Sequence, residues 1–331
     1  MKKITALLLA LFVLVGALAG CGKQNDTNKT DKLSIVTTIF PEYDWVREIL
    51  GDKADNAEIT MLLDNGVDLH SYQPTADDIV KISDCDLFIY VGGESDGWVE
   101  DALRNAANRN MKVINLLEVL GDSVKTEEIV EGMQEEHEDA HAHDDAEEHE
   151  HEEEADEHVW LSLKNAKMLV RVISKALQEL DPDNKDIYAA NADAYVKKLS
   201  ALDADYQAAV DAASNKTILF GDRFPFRYLV DDYGLRYYAA FAGCSAETEA
   251  GFETISFLAK RVDEWKLPCV LTIEGAQHKI AETIVRNTTT KNQKVLTMDS
   301  MQSTTTQDVK NGTTYLSVME KNLSVLKEAL R

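Results

Sequence analysis

The sequence predicts an α/β protein made of two lobes of similar size, each with a parallel-rich sheet. Short apolar runs alternate with helical patterns from residue 33 to about 117, and the alternation resumes at Thr217. This alternation is typical of βαβ units around a mainly parallel sheet. Between the two regions lie two helical patterns, 161–180 and 184–213. The second is long enough to bridge two lobes.

The candidate elements follow the chain in order. In the first lobe the predicted strands are 33–39, 58–63, 87–91 and 112–116, and the predicted helices are 43–50, 75–83 and 97–108. In the second lobe the predicted strands are 217–220, 235–240, 270–273 and 295–298, and the predicted helices are 226–232, 252–265, 276–287 and 313–329. We therefore expect an N-terminal lobe over 33–160, connecting helices over 161–213 and a C-terminal lobe over 214–331.

The first twenty residues are typical of a secretory signal, because Lys2 and Lys3 precede an apolar run and small residues follow. The signal ends in LAGC, which resembles the lipobox of bacterial lipoproteins, so Cys21 is the expected lipidation site. Residues 21–32 are polar and predict a flexible tether. We expect a soluble mature part outside the cytoplasm, lipid-anchored to the cell membrane, because no second long apolar stretch follows.

Charge and cysteine content exclude some partners and leave the pairing of thiols open. The 331-residue chain has a formal charge of −25 at pH 7, which makes nucleic acid and anionic lipid headgroups poor partners. Beyond Cys21 the cysteines are Cys85, Cys244 and Cys269. An odd number allows one disulfide with one thiol left over, or none. If a pair forms, we favour Cys244 with Cys269.

Residues 131–157 form an acidic histidine tract that has no periodicity, cannot build a core and should be mobile. Its imidazoles are those of His137, His141, His143, His149 and His151. Imidazoles among carboxylates can gather dications through weak contacts, whereas a solvated linker does not require them. The letters HEDAH match the H-E-x-x-H pattern of zinc peptidases, but no apolar face is present to anchor that helix.

Several metal-binding side chains follow predicted strands, where open α/β sheets bind ligands. His70 lies in the loop after the second strand, and Asp222, Glu274 and Asp299 each follow a strand of the second lobe. Taken singly, each has a structural interpretation as a surface histidine, a turn residue or a helix cap. Glu274 and His278 have the i, i+4 spacing of a surface pair. The shared placement of the four favours one common site.

His158 opens the first connecting helix, which is a natural crevice position between two lobes. Imidazole nitrogen with carboxylate oxygen suits zinc, manganese or iron, whereas magnesium and calcium favour oxygen alone. Two neutral histidines and two carboxylates balance a dication, so such a site can exclude water without leaving a charge uncompensated.

The mature chain resembles the solute-binding proteins of zinc and manganese ABC importers, the metal-binding cluster A-I family. The resemblance is carried by SIVTTIFPEYDWVREILGDKA, GVDLHSYQPTADDIVKISDCDLFIYVGG, DEHVWLSLKNA, DPDNKDIYAANADAYVKKLSALD, LTMDSM and TTYLSVMEKNL. It implies two (β/α) lobes joined by a long rigid connecting helix, with the metal in the cleft between them. It also implies that His70 and His158 are ligands, with Asp299 at the family's C-terminal aspartate. The acidic histidine tract resembles the mobile loop of zinc-specific members.

The sequence departs from the family pattern at one ligand. The third family ligand, a His or Glu in the first loop of the second lobe, falls on Arg223, which cannot coordinate a cation. Asp222 beside it is our first choice as a substitute. Glu274 and His278 are the alternatives.

The sequence thus predicts a monomeric receptor that captures zinc, or alternatively manganese, and delivers it to the membrane permease of an ABC importer. Its expected ligands are His70, His158, Asp222 and Asp299. Two other classes remain open: a metal-dependent hydrolase with Glu274 or Asp222 as general base, and an adhesin with a structural metal. Turnover abolished by a chelator would indicate the hydrolase, and unfolding on chelation would indicate the structural metal.

Overall fold

Two four-stranded parallel sheets, one in each lobe, organise the fold. A computed structural model describes residues 32–134, 154–245, 249–275 and 278–331. The N-terminal sheet has the order β2-β1-β3-β4 and contains β1 Leu33–Thr37, β2 Ala57–Met61, β3 Leu87–Tyr90 and β4 Lys112–Asn115. The C-terminal sheet has the order β6-β5-β7-β8 and contains β5 Thr217–Arg223, β6 Arg236–Phe241, β7 Cys269–Thr272 and β8 Lys294–Thr297. Every pairing is parallel, so both lobes have the predicted architecture and the same strand order.

Helices surround both sheets and join them. They are α1 Phe40–Leu50, α2 Ala76–Asp84, α3 Val99–Arg104, α4 Leu116–Leu120, α5 Leu163–Leu180, α6 Lys185–Ala212, α7 Arg227–Tyr233, α8 Phe252–Trp265, α9 Lys279–Asn287, α10 Thr306–Lys310 and α11 Tyr315–Ala329. Two short ones, α4 and α10, were not predicted, because five residues are too few to show a helical period. Within the described ranges, no helix has both the length and the apolar character needed to cross a membrane.

The long helix α6 connects the two lobes. Its buried side chains recur at helical spacing and include Tyr188, Ala192, Tyr195, Val196, Leu199, Leu202, Tyr206 and Val210. This stripe packs against α5, against α1 of the N-terminal lobe and against α11 at the end of the chain. The hydroxyl of Tyr206 donates a hydrogen bond to Met319 O at 2.7 Å. The helix therefore shares its core with both lobes.

Buried hydrogen bonds fasten the segment after residue 158 to the second lobe. The indole Nε1 of Trp160 donates to Ser300 O at 2.8 Å, and the Tyr315 hydroxyl donates to Trp160 O at 2.7 Å. The backbone N–H of Tyr315 donates to Asp44 Oδ2 of the first lobe at 2.9 Å. These bonds tie helix α1, the turn at Trp160 and the end of β8 into one buried network.

Strand β5 is longer than predicted. It continues past Phe220 to Arg223, with a register irregularity between these two residues against β6. The prediction that Asp222 follows the strand is therefore wrong, since Asp222 lies within it. The added residues are polar, which hid the continuation from a pattern based on apolar runs.

The ends of the acidic histidine tract are fastened to the lobes. Gln134 N donates to Ala240 O at 2.9 Å, and Asp156 N donates to Lys125 O at 2.8 Å. Ala155 forms an isolated antiparallel bridge with Thr126. Residues 131–134 and 154–157, which the sequence analysis assigned to the loop, thus belong to the folded lobes. The five histidines of the tract, like Cys21 and the signal, lie outside the described residues.

The Tyr315 hydrogen bond to Trp160 predicts a measurable loss of stability. Both residues are fully buried, so Tyr315→Phe leaves the Trp160 carbonyl without this donor. We expect the free energy of unfolding to fall by about 1–2 kcal/mol. Denaturant titration measures it, with Tyr43→Phe as the control, since the Arg47 guanidinium lies over the Tyr43 ring and this contact does not use the hydroxyl. Equal stability of the two variants would contradict the proposed importance of this bond.

Glu42 is a buried carboxyl at the start of α1. It accepts hydrogen bonds from Thr38 N at 2.8 Å, from Thr38 Oγ1 at 3.1 Å and from Ile39 N at 3.3 Å. Burial, together with the charge of Asp96, raises the pKa of Glu42 to about 8. The folded protein therefore holds a proton on Glu42 that the unfolded chain releases at lower pH.

Because of this raised pKa, the contribution of Glu42 to stability falls as the pH rises. Stability from protonated Glu42 is fully present below its ordinary pKa of 4.5 and is lost as the pH rises through about 8. Glu42→Gln stays neutral, so we expect its free energy of unfolding to rise relative to the native protein across this window, by no more than ~1.4 kcal/mol per pH unit. Denaturation at several pH values measures the difference. A difference independent of pH would refute the assignment.

Candidate metal centre between the lobes

His70 is held in a fixed orientation beyond the carboxyl end of β2. It lies in the 3₁₀ turn Leu69–Ser71, which Asp68 caps by accepting a hydrogen bond from His70 N at 3.1 Å. Its ring Nδ1 lies 2.8 Å from Ser95 Oγ and 3.5 Å from Glu157 Oε2. These partners occupy the Nδ1 side of the ring, and the Nε2 atom on its other side faces His158.

His158 is fully buried and is oriented in the same way. Asp156 Oδ1 accepts a hydrogen bond from His158 N at 2.9 Å and lies 3.1 Å from His158 Nδ1. Tyr228 of the second lobe donates to Asp156 O at 2.8 Å and so holds this segment against the C-terminal lobe. A carboxylate on Nδ1 is the arrangement that fixes metal-binding histidines and makes Nε2 a better donor to metal.

The two Nε2 atoms of His70 and His158 lie 3.2 Å apart. Two nitrogens bound to one tetrahedral zinc at about 2.0–2.1 Å are themselves ~3.3 Å apart. The sequence analysis predicted that these histidines meet, and the structure places them at the spacing of a shared dication. Their role as metal ligands stays a prediction.

The pKa values of the two imidazoles are shifted in opposite directions. Burial and the neighbouring His158 lower the pKa of His70 to about 4. Burial also disfavours the charged form of His158, but Asp156 and Glu157 outweigh it, so the pKa of His158 is raised. His158 is therefore the more basic of the two imidazoles.

Cys244 completes a group of three potential ligands. One ligand atom from each of His70, His158 and Cys244 lies within 4.8 Å of the other two, and in the described part of the chain no other such group of three or more forms. Cys244 N donates to Glu127 Oε1 at 2.7 Å. Burial and the charge of Glu127 raise the pKa of its thiol. Cys85, Cys244 and Cys269 are all free thiols, so among the described residues the alternative without a disulfide holds and the conditional pair of Cys244 with Cys269 does not form.

The predicted substitutes in the second lobe lie outside this group. Asp222 Oδ1 accepts from Arg223 N at 2.9 Å and its Oδ2 accepts from Ile273 N at 3.3 Å. The Nδ1 atom of His278 lies 2.9 Å from Thr272 Oγ1. Both side chains thus contact their own lobe, and the group near the histidines contains neither of them.

Glu274 and Asp299 hold the turn that follows β8. Glu274 accepts from Ser300 N at 2.6 Å, from Ser300 Oγ at 2.7 Å and from Gln302 N at 3.1 Å. Asp299 Oδ1 accepts from Met301 N at 2.8 Å. Burial and the nearby Glu274 charge raise the pKa of Asp299 to about 6. These carboxyls act as loop caps in the structure, and neither belongs to the group around His70.

Arg223 occupies the position of the missing family ligand and forms a bridge instead. Its Nη2 donates to Asp68 Oδ2 at 2.7 Å and its Nη1 donates to Ser245 O at 3.4 Å. Burial alone would raise the pKa of Asp68, but Arg223 outweighs it and the pKa is lowered. The guanidinium therefore connects the turn of His70 to the loop of Cys244.

Sequence reasoning missed Cys244, Asp156 and Glu157. Cys244 comes three residues after β6, so the strand-end rule that selected His70 would have selected it as well. We considered it only for a disulfide. Asp156 and Glu157 were hidden at the end of an acidic tract, where composition gives no reason to single out two carboxylates among many.

Two parallel α/β lobes, a long connecting helix and a partly buried cluster of two imidazoles and one thiol are features of a two-lobed metal-binding protein. The chain belongs to the family described as "Zinc-uptake complex component A periplasmic" (ZnuA), whose model matches residues 35–329. The family predicted from the sequence is thereby confirmed.

Individual relatives agree with this assignment. The "Zinc-binding lipoprotein AdcA" of Streptococcus pneumoniae is 34% identical over 328 residues, which are 99% of this chain but 61% of that protein. The "High-affinity zinc uptake system protein ZnuA" of Bacillus subtilis is 32% identical over 322 residues, covering 97% of this chain and 95% of the relative. The solved Zn(II)-bound ZnuA-like domain of Streptococcus pneumoniae AdcA superposes with a TM-score of 0.68 at 30% identity, covering 90% of this chain and 99% of that domain. The two-lobe fold is confirmed.

The contact between Asp156 and His158 gives a test of the site. Asp156→Asn removes the charge that orients the imidazole and raises its pKa. We expect zinc affinity to fall by about 10–100-fold at high pH. We also expect the pH below which binding weakens to move down, because a less basic His158 competes less with protons. Isothermal titration at several pH values measures both, with the remote Asp263→Asn as the control.

Either of two results would contradict this role. One is unchanged zinc affinity in Asp156→Asn. The other is a pH profile that moves upward, since that would mean that the Asp156 carboxylate does not raise the pKa of His158.

Proposed function

We propose that this chain is an extracytoplasmic receptor that binds zinc between its lobes and delivers it to the membrane permease of an ABC importer. The observation that carries the proposal is the 3.2 Å separation of the Nε2 atoms of His70, which is partly buried, and His158, which is fully buried. The family match and the names of the relatives support zinc as the cargo. Paired imidazoles favour zinc, whereas manganese prefers sites rich in oxygen ligands.

A transport receptor must fold without its cargo, and the packing supports this. A continuous apolar core runs through both lobes and includes the fully buried Trp45, Trp160 and Tyr206. The hydrogen bonds around Trp160 hold the lobes together independently of the histidines. A structural metal, in contrast, contributes folding free energy directly.

The location outside the cytoplasm is supported by the signal pattern and by the family description. We propose that Cys21, outside the described residues, carries the lipid anchor, as the name of the lipoprotein relative suggests. The histidines of the acidic tract serve in this proposal to gather zinc near the cleft. The receptor acts as a monomer towards its permease.

Replacing either cleft histidine tests the proposal. We expect His70→Ala and His158→Ala to weaken zinc binding by a factor of about 100 or more, because loss of a ligand exceeds the 10–100-fold cost of losing its supporting contact. Isothermal titration measures the affinities. His278→Ala is the matched control, since its imidazole contacts Thr272 and should leave zinc affinity unchanged.

Native affinity in both cleft variants would refute the proposed site. Unfolding of the native protein in a strong chelator, followed by circular dichroism, would instead favour a structural metal. Chelator-sensitive hydrolysis of ester or peptide substrates would favour the hydrolase.

A further inference from the structure

We infer that the Cys244 thiolate is the third protein ligand of the captured metal, so that zinc is held by two imidazole nitrogens and one sulfur. This inference rests on the proposed function and names the ligand that it leaves open. It takes the place of the earlier choice of Asp222, with Glu274 and His278 as alternatives.

The first step is the distance between the three ligand atoms. The candidate ligand atoms of His70, His158 and Cys244 lie within 4.8 Å of one another. On a tetrahedral zinc with Zn–S of about 2.3 Å, sulfur and nitrogen are ~3.6 Å apart. At most ~1.2 Å therefore remains to be closed, which is within the range of a cysteine rotation or a small loop shift.

The second step is the close approach of the cysteine loop to His158. A Cβ on Gly243 would lie 3.1 Å from His158 Cε1, 3.2 Å from His158 Nδ1 and 3.0 Å from Phe224 O. The loop backbone thus lies directly against the imidazole, and glycine allows the approach. The next residue along this loop is Cys244, whose N–H is fixed by Glu127 at 2.7 Å.

The third step concerns Arg223, which stands where the family ligand is expected. Its guanidinium contacts Asp68 Oδ2 and Ser245 O. Asp68 caps the turn of His70, and Ser245 adjoins Cys244. Arg223 is therefore a positioning residue that connects two ligand-bearing segments. Because an arginine cannot bind a cation, the third ligand comes from the neighbouring loop of Cys244.

The fourth step is the chemistry of the bond. When zinc binds, a Zn–S bond forms and the S–H bond breaks, and the proton leaves to the hydrogen-bonded Glu127 carboxylate or to solvent. Zinc with one thiolate and two neutral imidazoles keeps one positive charge. The carboxylates of Asp156 and Glu157 lie beside the ligands and compensate it. Sulfur as a soft ligand selects zinc against manganese.

Cobalt(II) is the probe that detects the sulfur. We load the full chain with cobalt and record its absorption, because a cobalt–thiolate bond gives a charge-transfer band that nitrogen and oxygen ligands do not give. We expect the band in the native protein and in Cys269→Ser, a buried thiol of the same lobe that lies outside the group. We expect Cys244→Ser to lose the band and to bind zinc about 100-fold or more weakly. Its preference for zinc over manganese should fall as well.

A second measurement uses the native protein and does not depend on how a variant folds. Iodoacetamide alkylation of each cysteine is followed by peptide mass spectrometry with and without zinc. We expect zinc to slow the alkylation of Cys244 at least about tenfold, as a bound thiolate is withdrawn from reaction. Equal rates with and without zinc would overturn the inference.

The outcomes separate this inference from the proposed function. If Cys244→Ser keeps the cobalt band and native zinc affinity while His70→Ala loses binding, Cys244 is not a ligand but the cleft receptor stands. If His70→Ala also binds zinc like the native protein, the proposed function itself fails. Asp222→Asn belongs in the same series, because loss of binding there with native behaviour of Cys244→Ser would make Asp222 the ligand.

Discussion

The candidate site depends on one interaction, the close approach of the imidazoles of His70 and His158. His70 and His158 are far apart in the chain, yet their Nε2 atoms lie 3.2 Å apart. Two such atoms at this distance need a shared proton or a shared cation, since two lone pairs repel. The Nδ1 atom of His70 contacts Ser95, and the Nδ1 atom of His158 contacts Asp156. These contacts orient the two rings so that their Nε2 atoms face each other.

The rest of the architecture keeps this meeting point rigid. The connecting helix and the hydrogen bonds of Trp160 and Tyr315 fix the segment of His158 between the lobes. The bridge from Arg223 to Asp68 fixes the turn of His70 against the second lobe. Apolar packing and buried hydrogen bonds thus position the site, so the stability of the fold does not depend on a bound metal.

The carboxylates show what a strand-end position leaves open. Asp222, Glu274 and Asp299 were selected because they follow predicted strands, but their oxygens accept backbone N–H groups of Arg223, Ser300 and Met301 respectively. A carboxylate after a strand can cap a turn or bind a metal, and its sequence position is the same in both cases. Which of these it does depends on the nearest unsatisfied donor, which only coordinates reveal.

The sequence by itself determined the two parallel lobes, the connecting helix and the pair His70 and His158. Apolar periodicity predicts which side chains are buried. The position of a residue just after a parallel strand predicts that it lies at the edge of the sheet where ligands bind. Only the tertiary structure decided that Asp222 belongs to a strand, that Arg223 forms a bridge and that Cys244 joins the histidines. Those facts are distances between segments remote in the chain, and no local pattern encodes such distances.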